Sequence, residues 1–272
     1  MRARNHRRDA RPPARTHHPA APAPRADSQG AVARAVASQS AAHFSGTRKI
    51  AMARTPTRIG FHYWLARFIS GLFTSTWIRR RVLHNDRVPQ TGGLILASNH
   101  VSYLDPFYMV CSVDRLVIAL ARESAYKFPP LAWLLHSWGV IPVDQSGSGR
   151  GLKTFFTRLR AGDAVMMYPE GTRSSTGQIQ APMPGVGLII LKSNALVVPV
   201  KLFGSYEAFN RHHWFPRPYR VEIKFGEPLD FRDLRAKAKE TKDKDQLRKL
   251  YHQAATDLLH AIATIEPGPD KN

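Results

Sequence analysis

The chain has 272 residues, of which 43% are apolar, and a formal net charge of +20. Its length and composition allow one substantial core, so we expect one main domain with appendages. The single cysteine, Cys111, excludes an internal disulfide framework and most thiolate metal sites, and it is consistent with a reducing compartment.

The first 51 residues differ in composition from the rest, because they are rich in Ala, Arg and Pro and nearly lack aromatic residues. Such a segment cannot bury enough surface to fold, and we predict that it is disordered. Three interpretations stay open: a basic tail for nucleic acid or membrane, an organelle-targeting segment, or sequence translated ahead of a true start at Met52. The remainder of the chain is also basic, which favours phosphate-rich partners.

Residues 52–83 are predicted to form a helical anchor at a membrane interface. The stretch 59–78 is apolar and aromatic, but His62 and Arg67 interrupt it, and it is barely long enough to cross a bilayer. The arginine triplet 79–81 follows directly and is expected to meet anionic lipid on the cytoplasmic side. The alternative interpretation is an amphipathic helix that covers a soluble core.

Beyond Pro89, short β-like runs alternate with helical patterns, which predicts an α/β layered fold with a largely parallel sheet and flanking helices. Pro199 would disturb a central strand unless it lies at an edge or a bulge. The predicted strands are 94–98, 116–120, 140–143, 164–168, 197–202 and 221–225, and the predicted helices include 106–113, 151–159, 186–192 and an amphipathic C-terminal helix over 243–265.

The stretch SNHVSYLDP, residues 98–106, places His100 at the carboxyl end of a predicted strand, where open α/β sheets bind ligands. Asp105 before a proline is typical of a helix N-cap, but capping does not explain the histidine. A carboxylate at this spacing can orient the imidazole as a general base. Ser102 lacks the surroundings of a nucleophile elbow, so the pattern indicates attack by the hydroxyl of a substrate.

A second cluster, MYPEGTRSS at 167–175, follows the predicted strand 164–168. Gly171 permits close approach of a ligand to the backbone, Thr172 can donate to an anion, and Arg173 can bind phosphate oxygens. The alternative interpretation is an ordinary polar turn in which Glu170 and Arg173 pair with each other.

Four segments, NHVSYLD (99–105), GVIPVD (139–144), YPEGTR (168–173) and LVVPV (196–200), occur in order. This order resembles the four blocks of the glycerophospholipid acyltransferase family, which includes bacterial 1-acyl-sn-glycerol-3-phosphate acyltransferases. The similarity covers roughly residues 60 to 230. It implies that His100 is the catalytic base and that Asp105 orients it. The implied substrate-binding residues are Asn99, Glu170, Gly171, Thr172 and Arg173.

The resemblance also implies an acyl donor that is a thioester of coenzyme A or acyl carrier protein, with no metal or redox cofactor. The catalytic domain would span 84–230, a C-terminal helical segment would span 231–272, and the enzyme would lie on the cytoplasmic face of a bacterial inner membrane. The preferred acceptor is 1-acyl-sn-glycerol-3-phosphate. Gln145 and Pro184 replace cations common in the family, so another lyso-lipid, such as a lyso-aminolipid or lysophospholipid, stays an alternative acceptor.

A non-enzymatic basic protein that binds lipid or nucleic acid is the remaining alternative. Residues 90–230 contain nothing that resembles a recognition helix, an aromatic stacking platform or a zinc finger, so no nucleic-acid partner is expected.

Overall fold

The computed structural model describes residues 61–143 and 150–269, so the predicted tail, Asp144 and Gln145 lie outside the described residues. A six-stranded sheet of order β1-β8-β7-β2-β6-β3 forms the centre, and β4 and β5 form a separate parallel pair. The strands are β1 Arg81–Leu83, β2 Leu94–Ser98, β3 Val117–Ile118, β4 Leu120–Arg122, β5 Ile141–Val143, β6 Ala164–Met167, β7 Leu196–Phe203 and β8 Glu222–Phe225.

The sheet is largely parallel, as predicted, and only the β7–β8 pair is antiparallel among its neighbours. Strand β2 lies at its centre, between β7 and β6, and all five of its residues are buried. Because side chains alternate along a strand, Leu94 and Leu96 face one core cluster while Ile95 and Ala97 face the other. An uninterrupted apolar run is typical of a strand that is covered on both faces.

Helices cover both faces of this sheet. Helices α1, α2 and α3 pack on the first cluster, whereas α4, α5, α7 and α8 pack on the second. The helices are α1 Phe61–Thr76, α2 Asp105–Cys111, α3 Pro129–Ser137, α4 Arg150–Arg160, α5 Gly185–Lys192, α6 Ser205–Ala208, α7 Arg232–Glu240 and α8 Lys244–Ala263. The predicted C-terminal helix therefore agrees with α8, whose Ala254, Leu258 and Ile262 are buried.

The predicted strand 116–120 is wrong as a single element. The chain leaves β6 after Ile118 and then pairs with β5, and the amide of Ile141 donates to the carbonyl of Ala119 at this junction. The run is uniformly apolar, so its sequence gives no sign that its two halves join different partners.

Pro199 lies in β7, inside the sheet, yet its missing N–H breaks no ladder bond. The carbonyls of Val197 and Pro199 accept from Leu229 and Gly226, which belong to the segment after β8. Antiparallel pairing with β8 begins only at Val200. Pro199 thus lies in a central strand, paired with Ala97 of β2 on one side and outside the β8 ladder on the other, so the expected edge position is wrong.

Helix α1 packs on α2 and leaves a broad apolar face exposed. Within residues 61–143 and 150–269, no helix combines the length and apolarity that crossing a bilayer requires. The exposed apolar side chains of this region, here called the α1 face, are Phe61, Trp64, Leu65, Phe68, Ile69, Leu72, Phe73 and Trp77.

The arginines near α1 are bound mainly within the protein. Arg67 donates to the carbonyls of Val110 and Val113, at and beyond the end of α2. Arg80 donates to the carbonyl of Cys111, and Arg81 pairs with Glu222 at 3.2 Å. Arg80 and Arg81 thus bind groups within the protein, and the expected contact of the triplet with lipid stays a prediction.

Candidate active site

Three parallel strands end at the same edge of the sheet and place the polar residues of the site there. His100 follows β2, Tyr168 and Glu170 follow β6, and Ser205 follows β7. Because β2 lies between β6 and β7, the segments that leave these strands converge around His100. The predicted position of the histidine at a strand end is thus what the structure shows.

His100 and Asp105 form the hydrogen-bonded pair that their spacing predicts. The Nδ1 atom of His100 lies 2.8 Å from Oδ2 of Asp105, whose side chain is fully buried. The His100 side chain keeps 17% of its surface exposed, and its Nε2 atom has no hydrogen-bond partner among residues 61–143 and 150–269. A carboxylate on Nδ1 favours the tautomer whose Nε2 accepts a proton.

Asp105 is not the helix cap that its Asp-Pro sequence suggests. Oδ2 accepts the backbone N–H groups of Val101 and Ser102, at 2.7 and 2.8 Å, and Oδ1 accepts the hydroxyl of Ser205. The cap position belongs to Leu104, which makes no side-chain capping bond. The carboxylate therefore organises the loop before α2 and does not cap that helix.

The turn after β6 holds the backbone of His100 from both sides. Oε1 of Glu170 accepts the N–H of His100 at 2.9 Å, and the N–H of Ser174 donates to its carbonyl at 2.8 Å. The ring of Tyr168 stacks on the imidazole with centroids 3.9 Å apart. These contacts fix the position and the plane of the imidazole.

Glu170 is buried, and Arg173 does not pair with it, so the alternative interpretation of an internal ion pair is wrong. Its second oxygen accepts the N–H of Gln180 at 2.9 Å. Burial raises the pKa of the Glu170 carboxyl, and the two backbone amides act in the opposite direction. Glu170 is placed to position His100, whereas the sequence predicts a substrate contact.

Replacing Glu170 by Gln tests this positioning. The amide can accept from only one of the two backbone N–H groups, so we expect the free energy of unfolding to fall by about 1–3 kcal/mol. Since the resemblance implies that His100 is the base and that the substrate is an acceptor hydroxyl, we also expect kcat to fall while KM for the acceptor changes little, because the backbone of His100 is displaced. Urea denaturation and steady-state kinetics measure the two effects, with the exposed Glu240→Gln as control. A raised acceptor KM with normal kcat would instead assign Glu170 to substrate binding.

The predicted phosphate-binding residues lie on the outer side of the same turn. Gly171 has φ of +69°, and a Cβ there would lie 1.9 Å from the sulfur of Met183, so the position requires glycine. Thr172 is exposed, and the guanidinium of Arg173 lies 3.5 Å from the ring centre of Tyr103.

Two further arginines reach this turn from elsewhere in the chain. Arg122, at the end of β4, donates to the carbonyl of Gly171 at 3.3 Å, and Arg211 donates to the carbonyl of Arg173 at 2.9 Å. Within the described part of the chain, no carboxylate forms an ion pair with Arg122, Arg173 or Arg211. The turn therefore carries three guanidinium groups that lack a carboxylate partner in that part.

The side chains of Asn99 and Ser102 both form hydrogen bonds with backbone groups of the protein. The Asn99 amide exchanges two hydrogen bonds with the backbone of Leu202 on β7, at 2.9 and 3.1 Å. The Ser102 hydroxyl donates to the carbonyl of Phe209, which agrees with the expectation that it is no nucleophile. Asn99 is therefore buried and joins the segment after β2 to β7, whereas the sequence predicts a substrate contact.

Sequence reasoning missed Ser205, the stacking role of Tyr168, and the cations Arg122 and Arg211. The one local signal was Gly204, which has φ of +72° and makes the sharp turn after β7 that places Ser205 beside the carboxylate. For Arg122 and Arg211 the sequence holds no comparable signal, since only the tertiary fold brings them to the turn.

The fold is α/β, and its site combines an imidazole oriented by a carboxylate with a turn that carries three guanidinium groups. Residues 79–202 match the sequence model of the Acyltransferase family. It is 25% identical over 154 residues to a chloroplastic 1-acyl-sn-glycerol-3-phosphate acyltransferase of Arabidopsis thaliana, a match that covers 55% of this chain and 43% of that relative.

A 1-acyl-sn-glycerol-3-phosphate acyltransferase of Pseudomonas aeruginosa is 26% identical over 170 residues, which covers 61% of this chain and 63% of that protein. The chain thus spans between about two fifths and two thirds of the length of these curated relatives. The crystal structure of the 1-acyl-sn-glycerophosphate acyltransferase PlsC from Thermotoga maritima has the same fold, with a TM-score of 0.57 and 20% identity over 89% of this chain and 99% of that one.

Proposed function

We propose that the protein transfers a fatty acyl group from an acyl thioester to the free hydroxyl of a lyso-glycerophospholipid, with 1-acyl-sn-glycerol-3-phosphate as preferred acceptor and phosphatidic acid as product. One observation carries the proposal: a partly exposed imidazole, oriented by a buried carboxylate, lies beside a turn with three guanidinium groups. The distant relatives that act on the same acceptor support it.

The reaction follows from the open Nε2 of His100. This atom takes the proton of the acceptor hydroxyl while the oxygen attacks the thioester carbonyl, and Asp105 stabilises the resulting imidazolium. The tetrahedral intermediate then expels the thiolate, which takes the proton back from the imidazolium and leaves as a thiol. Ser102 does not act as a nucleophile in this mechanism, since its hydroxyl donates to the carbonyl of Phe209.

Thiol release tests the proposal directly. The protein is mixed with acyl-coenzyme A or acyl carrier protein donors and a panel of lyso-lipids, and free thiol is measured over time. Cys111 is the single cysteine, so the enzyme adds at most one thiol per chain, and turnover stands clear of this background. If no donor and acceptor pair released more than that, a non-enzymatic lipid-binding protein would be the better interpretation.

The acceptor panel also decides between lyso-lipids. Pro184 precedes α5 without offering a charge, whereas Arg122 and Arg211 bring cations to the turn from other segments. These two arginines favour the phosphomonoester, because they restore the positive charge that the motif positions lack. Faster turnover of a lyso-aminolipid or a lysophospholipid in the panel would favour the alternative acceptor.

Arg173→Ala should raise KM for lysophosphatidic acid by about ten- to a hundredfold, because charge-assisted bonds to phosphate contribute roughly 1.5–3 kcal/mol. KM for the thioester should change little, since the cation serves the acceptor. Steady-state kinetics with each substrate varied measures both constants. The exposed Arg248 on α8 provides the control substitution Arg248→Ala. An equal loss of affinity for both substrates would contradict an acceptor-specific role.

We further propose the division of the chain into a helical membrane-interfacial segment over 52–83, a catalytic domain over 84–230 and a C-terminal helical segment. The α1 face supports the first assignment, because its exposed tryptophans and phenylalanines suit the boundary between headgroups and acyl chains. An enzyme whose acceptor is a membrane lipid would act at that surface.

A further inference from the structure

The segment between α6 and β8 presents two adjacent aromatic side chains to solvent. Trp214 is 92% exposed and Phe215 is 79% exposed. The base of this segment is nevertheless held in place, because the N–H of Arg217 donates to the carbonyl of Ala208, and the carbonyl of Phe209 accepts from Ser102. Neighbouring apolar rings held out in water usually mark a surface that a partner covers.

These two side chains, Trp214 and Phe215, here called the aromatic tip, adjoin the α1 face. The indole N–H of Trp77, just after α1, donates to the carbonyl of Pro216 at 3.2 Å. Trp77 is itself half exposed and belongs to the α1 face. The tip and the helix therefore form one apolar surface built from two segments that lie far apart in sequence.

The charges around the aromatic tip indicate which kind of partner it binds. Arg211, Arg217 and Arg220 flank it and are exposed, and residues 208–221 contain no aspartate or glutamate. Aromatic side chains surrounded by arginines suit the boundary of a bilayer, where rings enter the headgroup layer and guanidinium groups meet lipid phosphates. A protein partner would need an apolar surface ringed by acids, and nothing in the described residues points to one.

We propose that residues 211–220 form a second membrane-binding element, in which Trp214 and Phe215 insert into an anionic leaflet beside α1. The same segment touches the site, since Arg211 donates to the carbonyl of Arg173. Insertion of the tip would hold the cationic turn at the level of the lipid headgroups. This proposal concerns binding alone and does not depend on which acceptor reacts.

Vesicle binding by the full chain, with no donor or acceptor lipid added, tests it. Vesicles of phosphatidylcholine, with and without phosphatidylglycerol, are floated with the wild type, with Trp214→Ser/Phe215→Ser and with Trp214→Phe/Phe215→Leu. The serine pair should weaken partitioning by about tenfold or more, whereas the apolar pair should retain it. Both positions are solvent-exposed, so the variants should melt like the wild type.

The contribution of the arginines to vesicle binding is tested separately. Arg217→Gln should weaken binding about fivefold on phosphatidylglycerol vesicles and hardly at all on neutral ones. Lys249→Gln, on α8 across the sheet, is the matched control and should have no effect.

Depth is measured by comparing wild type with Trp214→Phe, since the difference reports Trp214 emission. This emission should shift to the blue on vesicles and be quenched by brominated acyl chains. Unchanged partitioning of the serine pair, or an emission that keeps its aqueous position on vesicles, would overturn the proposal. A protein ligand that shields Trp214 while vesicles do not would identify the other kind of partner.

Discussion

His100→Ala should lower the rate of acyl transfer by roughly 10²–10⁴-fold, the range expected when a general base is lost. The imidazole is the group in the site whose open nitrogen can take a proton, with Nδ1 held by Asp105 and one ring face covered by Tyr168. Alanine removes the base but leaves two backbone N–H groups on the buried carboxylate. We therefore expect the fold to survive.

Thiol release under saturating substrates measures this loss, and thermal unfolding checks the fold. His252, an exposed residue on α8, supplies the control His252→Ala, which should be fully active. Near-normal turnover by His100→Ala in a folded protein would show that the proposed mechanism is wrong.

Asp105→Asn should slow transfer by about 10²-fold or more with only a small change in stability. The Asn carbonyl oxygen can accept from Nδ1 of His100 and from the amides of Val101 and Ser102, as Oδ2 does now. The Asn amide then faces Ser205, whose hydroxyl can rotate to accept it. What disappears is the negative charge that stabilises the imidazolium, so kcat should fall far more than either KM.

Comparing Asp105→Ala with Asp105→Asn separates the effect of the negative charge on the rate from the effect of the hydrogen bonds on stability. It leaves the two backbone N–H groups and the Ser205 hydroxyl without an acceptor, and each unpaired buried group costs about 1–3 kcal/mol. The alanine variant should therefore unfold at clearly lower urea concentration than the asparagine variant, while both are nearly inactive. Equal stability of the two variants would mean that the loop before α2 does not need the carboxylate.

The sequence predicted those parts of the site that depend on local pattern. The apolar run before Ser98 predicted a buried strand, and the strand end placed His100 at the ligand-binding edge. The same local reasoning misread the Asp-Pro pair as a cap, because the donors to Asp105 precede the helix and the serine hydroxyl comes from a residue one hundred positions away. Short spacing shows which residues are neighbours in the chain but not which distant segment completes their hydrogen bonds.

Glu170 is a second residue whose contacts could not be predicted from its neighbours in the sequence. In sequence it is one member of a polar turn, and a charged residue in a turn suggests solvent or ligand. Its contact with the backbone of His100 spans seventy positions and arises only because β6 lies next to β2. Strand order, which no pattern within a strand specifies, therefore decides that this carboxylate binds the backbone of His100.

Helix α2 is seven residues long, and its two ends make different contacts. Asp105 begins it, whereas the carbonyls at and beyond its last turn accept the guanidinium groups of Arg67 and Arg80. A helix of this length measures only about 10 Å. One short helix therefore connects the His100–Asp105 pair to α1, so the positions of the pair and of the α1 face are set by the same element.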